Sequence, residues 1–400
     1  MLTSARMRGV TIGVHTPEST AAARIAEGTR TPAERLVSLD LFRGLVIAFM
    51  ILVNDPGDGP SSYCPLKHAE WNGWTPTDLV FPFFVFIVGV SMAFSFRSRL
   101  DRGQTRSQLL KHAVWRGGLL FALGVLLNGL GARYHFDHWR LYGVLQRIAI
   151  CYVITAILEL WADWRAQVAV ALACLAGYWV LMRYVPVPGF GVPTRDIPLL
   201  DPDRNLVAWL DRKLLMGHLY EGTRDPEGLI SNIPAIATSL LGLLTGKWLR
   251  TQRAARIKTL AMIAAGIAAL FMGKIMDVWF PINKKLWTSS YVVFTAGLAL
   301  ISLALCYWVV DVRKHGGRWT WPILVFGTNA IAAYVLSESL AIALYGLSTG
   351  GNTLMGHIYT SIFAPLASPA NSSLLYALTY VALCWVVMAV LYRKRIFLKI

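Results

Sequence analysis

The residues best suited to chemistry lie between positions 54 and 82. They read Asn54-Asp55-Pro56-Gly57-Asp58-Gly59, then Lys67-His68-Ala69-Glu70-Trp71-Asn72-Gly73-Trp74-Thr75, then Asp78-Leu79-Val80-Phe81-Pro82. Histidine titrates near neutral pH, so His68 can act as base, acid or acyl acceptor. Asp78 can fix the imidazole tautomer or stabilise an imidazolium, and Asn54 can donate to a developing oxyanion. A loop histidine that only hydrogen-bonds at a membrane edge is the alternative, and residue types alone admit both. Position argues for chemistry. The segment is wedged between apolar runs at 45–53 and 79–96, where polar groups near hydrocarbon cost free energy unless they are used.

The elements that must position these groups follow from composition. Of 400 residues, 56% are hydrophobic and 15% charged, and the mean hydropathy is +0.51. Soluble domains carry roughly 25% charged residues. Apolar runs of about 18 residues or more recur, each long enough to cross a bilayer core. The expected fold is an all-α polytopic transmembrane bundle of about ten spans, at 36–53, 79–96, 114–130, 142–161, 166–184, 230–249, 258–276, 288–310, 321–342 and 373–391. Residues 1–34 read as a flexible cytoplasmic arm and 35–400 as the transmembrane domain.

Charge orients the bundle. The 38 Lys and Arg against 22 Asp and Glu give a net charge of +16. The cations collect in alternate loops, with six at 97–116, five at 247–258, three at 313–318 and four at 393–399. Positive loops face the cytoplasm, so both termini are expected there, with His68 outside. No basic patch with interleaved aromatics marks a nucleic-acid surface, and nucleic acid is excluded as a partner. The five cysteines show no metal-ligand spacing and no disulfide framework. Neither a Walker-type phosphate loop nor a Gly-x-Ser-x-Gly nucleophile is present.

Further polar groups stand near the expected spans. Arg43 can pair with Asp40 or meet a phosphate arriving from the cytoplasm. Arg147 lies at the outer end of the fourth span, where a buried arginine needs a carboxylate or a ligand phosphate. Asp225 and Glu227 can cap the sixth span or bind a cationic or polyhydroxylated substrate. Asn329 and Glu338 sit inside the ninth span, where a carboxylate is a functional candidate. Trp71 and Trp74 read as interfacial anchors before a sugar-stacking platform, His135 and His138 as an aromatic-belt loop, and Lys274/Asp277 as a structural pair. Residues 185–229 and 343–372 form long outer loops that can roof a cavity with 54–78.

Several stretches together resemble the heparan-α-glucosaminide N-acetyltransferase family. They are Arg35-Leu36-x-Ser38-x-Asp40-x-Phe42-Arg43-Gly44, the 54–82 segment, Gly143-Val144-Leu145-Gln146-Arg147 and Asp225-Pro226-Glu227-Gly228. Asn283-Lys284-x-Leu286-Trp287-x-x-Ser290-Tyr291 and Phe326-Gly327-Thr328-Asn329-Ala330 complete the set. The chain departs from the animal lysosomal members in lacking their large luminal region and looks like the shorter bacterial branch, which implies a bacterial inner membrane.

The resemblance implies acetyl transfer from cytoplasmic acetyl-CoA to an amino-sugar acceptor outside, a small molecule or a glycan end. His68 would be the acetyl acceptor or general base, helped by Asn54 and Asp78. Arg43, Arg147, Arg393, Lys394 and Arg395 are the expected contacts of the donor. Trp71, Asn72, Asp225, Glu227, Asn329 and Glu338 are those of the acceptor. No metal is expected, and such a fold allows a homodimer. Both an acetyl-histidine route and direct transfer fit the residues. The competing class is a transporter or flippase of a sugar or lipid-linked sugar, for which the same groups would line a pathway.

Overall fold

Hydrocarbon offers a backbone no water, so a chain this apolar must satisfy its amides internally, and here it does so as helices. The computed structural model describes residues 36–132, 135, 139–349 and 351–398, so the expected arm at 1–34 and His138 lie outside the described residues. From Val37 onward the chain folds as one unit. Its helices are α1 (Val37–Asn54), α2 (Val80–Asp101), α3 (Arg106–Gly131), α4 (Val144–Trp161), α5 (Trp164–Tyr184), the short α6 (Leu206–Leu214) and α7 (Asn232–Leu249). They continue as α8 (Ala255–Asp277), α9 (Ser289–Cys306), α10 (Trp321–Thr328), α11 (Ala330–Gly346), the short α12 (Leu354–Ile358) and α13 (Pro369–Arg393). Among the described residues, strand is limited to a hairpin of Ser348–Thr349 and Asn352–Thr353 and two isolated bridges.

All ten expected spans are helical. Among the described residues, eight helical segments are long and apolar enough to cross a membrane, and the pair α10 and α11, bent by 83°, is so only when taken together, as a broken span or a re-entrant loop. The expected span at 230–249, α7, is helical but less apolar than these, carrying Asn232, Thr238, Ser239, Thr245 and Lys247. It packs against α2, α4, α5 and α9, and Thr238 and Ser239 within it are buried. Their hydroxyls are satisfied inside the bundle. Ser239 Oγ accepts from Thr155 Oγ1 at 2.9 Å and Thr238 Oγ1 from Trp287 Nε1 at 3.1 Å. The outermost helices show the opposite pattern, with α5 and α8 each burying only 22% of their apolar window. The chain is therefore a multi-pass membrane protein.

One close crossing is that of α2 with α7. A Cβ on Gly89 would lie 2.0 Å from the Ser239 carbonyl oxygen, and one on Gly242 2.0 Å from that of Phe86. Small residues let the two backbones touch. The bend between α10 and α11 is at Asn329, whose side chain is used by the C-terminal tail. Asn329 Nδ2 donates to the Ile396 carbonyl and Oδ1 accepts from the Leu398 amide, both at 3.0 Å.

Candidate active site

Asp78 anchors the site. It lies in the one-turn helix Pro76–Leu79 that leads into α2, and it is 1% exposed. The amides of Ala69 and Thr75 both donate to its Oδ2 at 3.0 Å. From behind, the Tyr291 hydroxyl donates to its backbone carbonyl at 2.5 Å. The other carboxylate oxygen, Oδ1, lies 2.7 Å from His68 Nδ1. An ionised carboxylate only accepts, so Nδ1 carries the proton and Nε2 is left with a free lone pair. The His68 side chain is half exposed while Asp78 beneath it is sealed. That is the geometry of an oriented base or nucleophile.

The segment after α8 closes over this loop. Asn283 Nδ2 donates to Asn72 Oδ1 at 3.1 Å, and the Gly73 amide donates to the Ile282 carbonyl at 2.7 Å. Lys284 comes with it. Its Nζ lies 3.0 Å from His68 Nδ1 and 3.3 Å from Nε2, and 3.6 Å from Asp78 Oδ1. Nearly equal distances to two ring nitrogens place an ammonium over the ring, not along either lone pair. Burial pulls this ammonium below the usual lysine range, against the opposing pull of Asp78 and Glu227.

A second polar layer lies beside it. Arg140 forks onto Asp225, with Nε to Oδ2 at 2.8 Å and Nη2 to Oδ1 at 2.5 Å, and also bonds Glu227. Burial opposes the charge on Arg140, but Glu227 and Asp225 hold its affinity for the proton above the ordinary arginine level. Burial likewise tends to raise the Glu227 carboxyl, and Arg140, Arg147 and Lys284 together keep it below the usual range. Gly228 is required by a close approach, since a Cβ there would sit 1.8 Å from Asp211 Oδ2. Burial pushes the Asp211 carboxyl up to about 7.

Arg147 is fully buried. Its Nη2 donates to the Pro226 carbonyl at 3.1 Å and to Ser231 Oγ, while Nε and Nη1 have no partner among the described residues. The guanidinium lies over Trp287, 4.7 Å from the ring centroid. Trp287 itself adopts φ 53°, a left-handed backbone that a bulky side chain occupies at a cost of about 1–3 kcal/mol. Two unused donors on a buried cation are a place for a polar ligand group.

The remaining expected residues divide by location. Asn54, at the end of α1, is exposed. Its neighbour Asp55 is 8% exposed, and burial, followed by the nearby Glu338 carboxylate, pushes its carboxyl up to about 8. Trp71 is built into the 185–229 loop, its Nε1 donating to the Leu200 carbonyl at 2.7 Å. Its ring faces Arg224 and Lys285. Asn72 stays exposed. Lys274 pairs with Asp277 at 3.1 Å.

Arg43, Asn329, Arg393, Lys394 and Arg395 gather elsewhere. Arg43 bonds Asp40 at 2.8 Å, Ser91 Oγ at 2.7 Å and the Gly327 carbonyl at 3.2 Å. Gly327 adjoins the Asn329 bend that holds the tail, and the three tail cations are exposed. With 1.5 Å of rise per residue, Arg43 and Asn54 lie roughly 16 Å apart along α1. The structure thus makes two polar groups, one at each end of α1, and Asn329 belongs to the end away from His68.

Lys284, Arg140 and Ser231 were not legible as site residues. The signal for Lys284 was weak but present, a lysine in the Asn283-Lys284 stretch on the side otherwise poor in cations.

Fold and site together define a multi-pass membrane protein with a buried acid–base cluster under its loops. Residues 35–280 match the family model described as heparan-alpha-glucosaminide N-acetyltransferase, catalytic, and the chain belongs to that family. It is 32% identical to heparan-alpha-glucosaminide N-acetyltransferase of Mus musculus over 372 residues, covering 78% of this chain and 55% of the relative. To the protein of the same name from Homo sapiens it is 30% identical over 426 aligned positions, covering 92% of this chain and 60% of the relative. The chain thus spans little more than half the length of these relatives.

Proposed function

We propose that this protein is an acetyl-CoA-dependent N-acetyltransferase of the bacterial cytoplasmic membrane, passing the acetyl group to an amino sugar on the periplasmic side. One observation carries the reading. A sealed Asp78 carboxylate holds the half-exposed His68 ring at 2.7 Å by Nδ1, leaving Nε2 open. In direct transfer the amine nitrogen attacks the thioester carbon, the C–N bond forms and the C–S bond breaks. Nε2 takes the amine proton and returns it to the departing thiolate. In the covalent route Nε2 attacks the thioester carbon and the C–S bond breaks to release thiolate; the amine then attacks the acetyl carbon, the bond to Nε2 breaks, and the amine proton passes to the freed imidazole. Either path develops an oxyanion, for which Asn54 is the candidate donor.

Acidic and aromatic groups near His68 suit an amine-bearing, polyhydroxylated acceptor, with Asp225, Glu227, Glu338, Trp71 and Asn72 as its candidate contacts. The cations at the far end of α1 suit the phosphates of a cytoplasmic donor, and Arg147, with its two unused donors among the described residues, suits a polar group nearer the reacting end. The sidedness is supported by the way the loops assemble. Segments 54–78, 139–143, 185–229 and 277–288 meet in one network, and the first, second and fourth of these carry only one, one and two lysines or arginines.

The test is purified protein in proteoliposomes with acetyl-CoA and glucosamine, following free CoA and N-acetylglucosamine together. The wild type is expected to form both in equal amounts, and His68→Ala to lose about 10²–10⁴-fold in turnover. Unchanged turnover in His68→Ala removes the histidine from the chemistry. Sugar flux without CoA release removes the enzyme.

A further inference from the structure

We propose that Lys284 is a positioning residue for His68, an ammonium that offsets the charge of Asp78 and so keeps the imidazole neutral with Nε2 open. The inference rests on the reading of His68 as the reacting imidazole and adds the group that makes that state available.

A sealed carboxylate 2.7 Å from Nδ1 has a drawback when it acts alone. It favours the charged imidazolium, and an imidazolium has no lone pair to take an amine proton or attack a thioester. Lys284 supplies the opposing charge. Its Nζ stands 3.6 Å from the same Asp78 oxygen that faces His68, and 3.0 and 3.3 Å from the two ring nitrogens. A second positive charge on the ring at that distance is disfavoured. The same repulsion speeds the ring's return of a proton to the departing thiolate.

The charged neighbours of the pair are few. Asp78 faces His68 from the turn before α2, and Lys284 does so from the segment after α8. Glu227, from the loop before α7, and Lys285 act on Lys284. Lys284 is 216 residues from His68 in sequence, and the contact exists because Asn283 clamps Asn72.

The experiment reads the ring directly. Diethylpyrocarbonate reacts with neutral imidazole, so peptide-resolved labelling of His68 against pH, in the purified full-length protein, gives the midpoint for its protonation. Lys284→Met and Lys284→Gln are expected to raise that midpoint by about one pH unit, and Lys284→Arg, which keeps the charge, to leave it near wild type. A midpoint unchanged in both neutral variants, or raised as much in the arginine variant, overturns the proposal. Using two neutral variants guards against one failing to fold. No substrate is needed, so the outcome is independent of whether His68→Ala retains turnover.

Discussion

His68 depends on the carboxylate beneath it, and replacing that carboxylate by its amide separates charge from shape. In Asp78→Asn the amides of Ala69 and Thr75 can still bond the oxygen that takes the place of Oδ2. The new amide nitrogen then faces Nδ1, forces it to accept, and moves the ring proton to Nε2. Turnover is expected to fall about 10²–10⁴-fold with the melting temperature little changed, measured on the same preparation. Asp55 makes a different prediction. Its carboxyl rises from 3.8 to about 8 in the fold, so the native state binds the proton more tightly than the unfolded chain. Stability from this group is complete below about pH 4 and falls as pH rises toward about 8. Thermal melts should show this decline in the wild type and a shallower one in Asp55→Asn. Parallel curves would contradict the assignment. The His68–Asp78 pair was legible because ten residues and one loop join its members. Lys284 was not, because only folding brings it there.

At the scale of elements, the α2–α7 crossing decides whether the site has a floor, since Asp78 leads into α2 and Ser231 precedes α7. Gly242→Ala would put a methyl 2.0 Å from the Phe86 carbonyl oxygen, and backbone cannot yield as a side chain can. A destabilisation of about 1–3 kcal/mol is expected, read as a lower melting temperature. Gly118→Ala, whose new methyl meets nothing within 4 Å, is the control and should be neutral or slightly stabilising. Equal melting of the two variants would contradict the close crossing. The helices themselves were readable from runs of apolar residues, since hydrocarbon demands length and little else. The polarity of α7 and the bend at Asn329 were not, because each is satisfied by partners distant in sequence, Thr155 and Trp287 in one case and the tail in the other.

Across the whole molecule, the proposed donor, acetyl-CoA, has phosphates at one end and a thioester at the other, and the proposal assigns these to the two polar groups at the ends of α1. The cation bias of the loops assigned those ends to opposite faces before any contact was known. Which residues meet within each end was beyond that count, as the placement of Asn329 among the tail contacts illustrates. The account therefore stands on one spatial claim, that the donor's arm runs from the Arg43 end to the ring of His68. The most direct measurement is a cryo-electron microscopy structure with a non-cleavable thioether analogue of acetyl-CoA. The account predicts the analogue's carbonyl carbon about 3–3.5 Å from His68 Nε2, its oxygen toward Asn54 and its phosphates among Arg43 and the tail cations. An analogue bound with its carbonyl remote from His68, or with its phosphates at the His68 end, would contradict it.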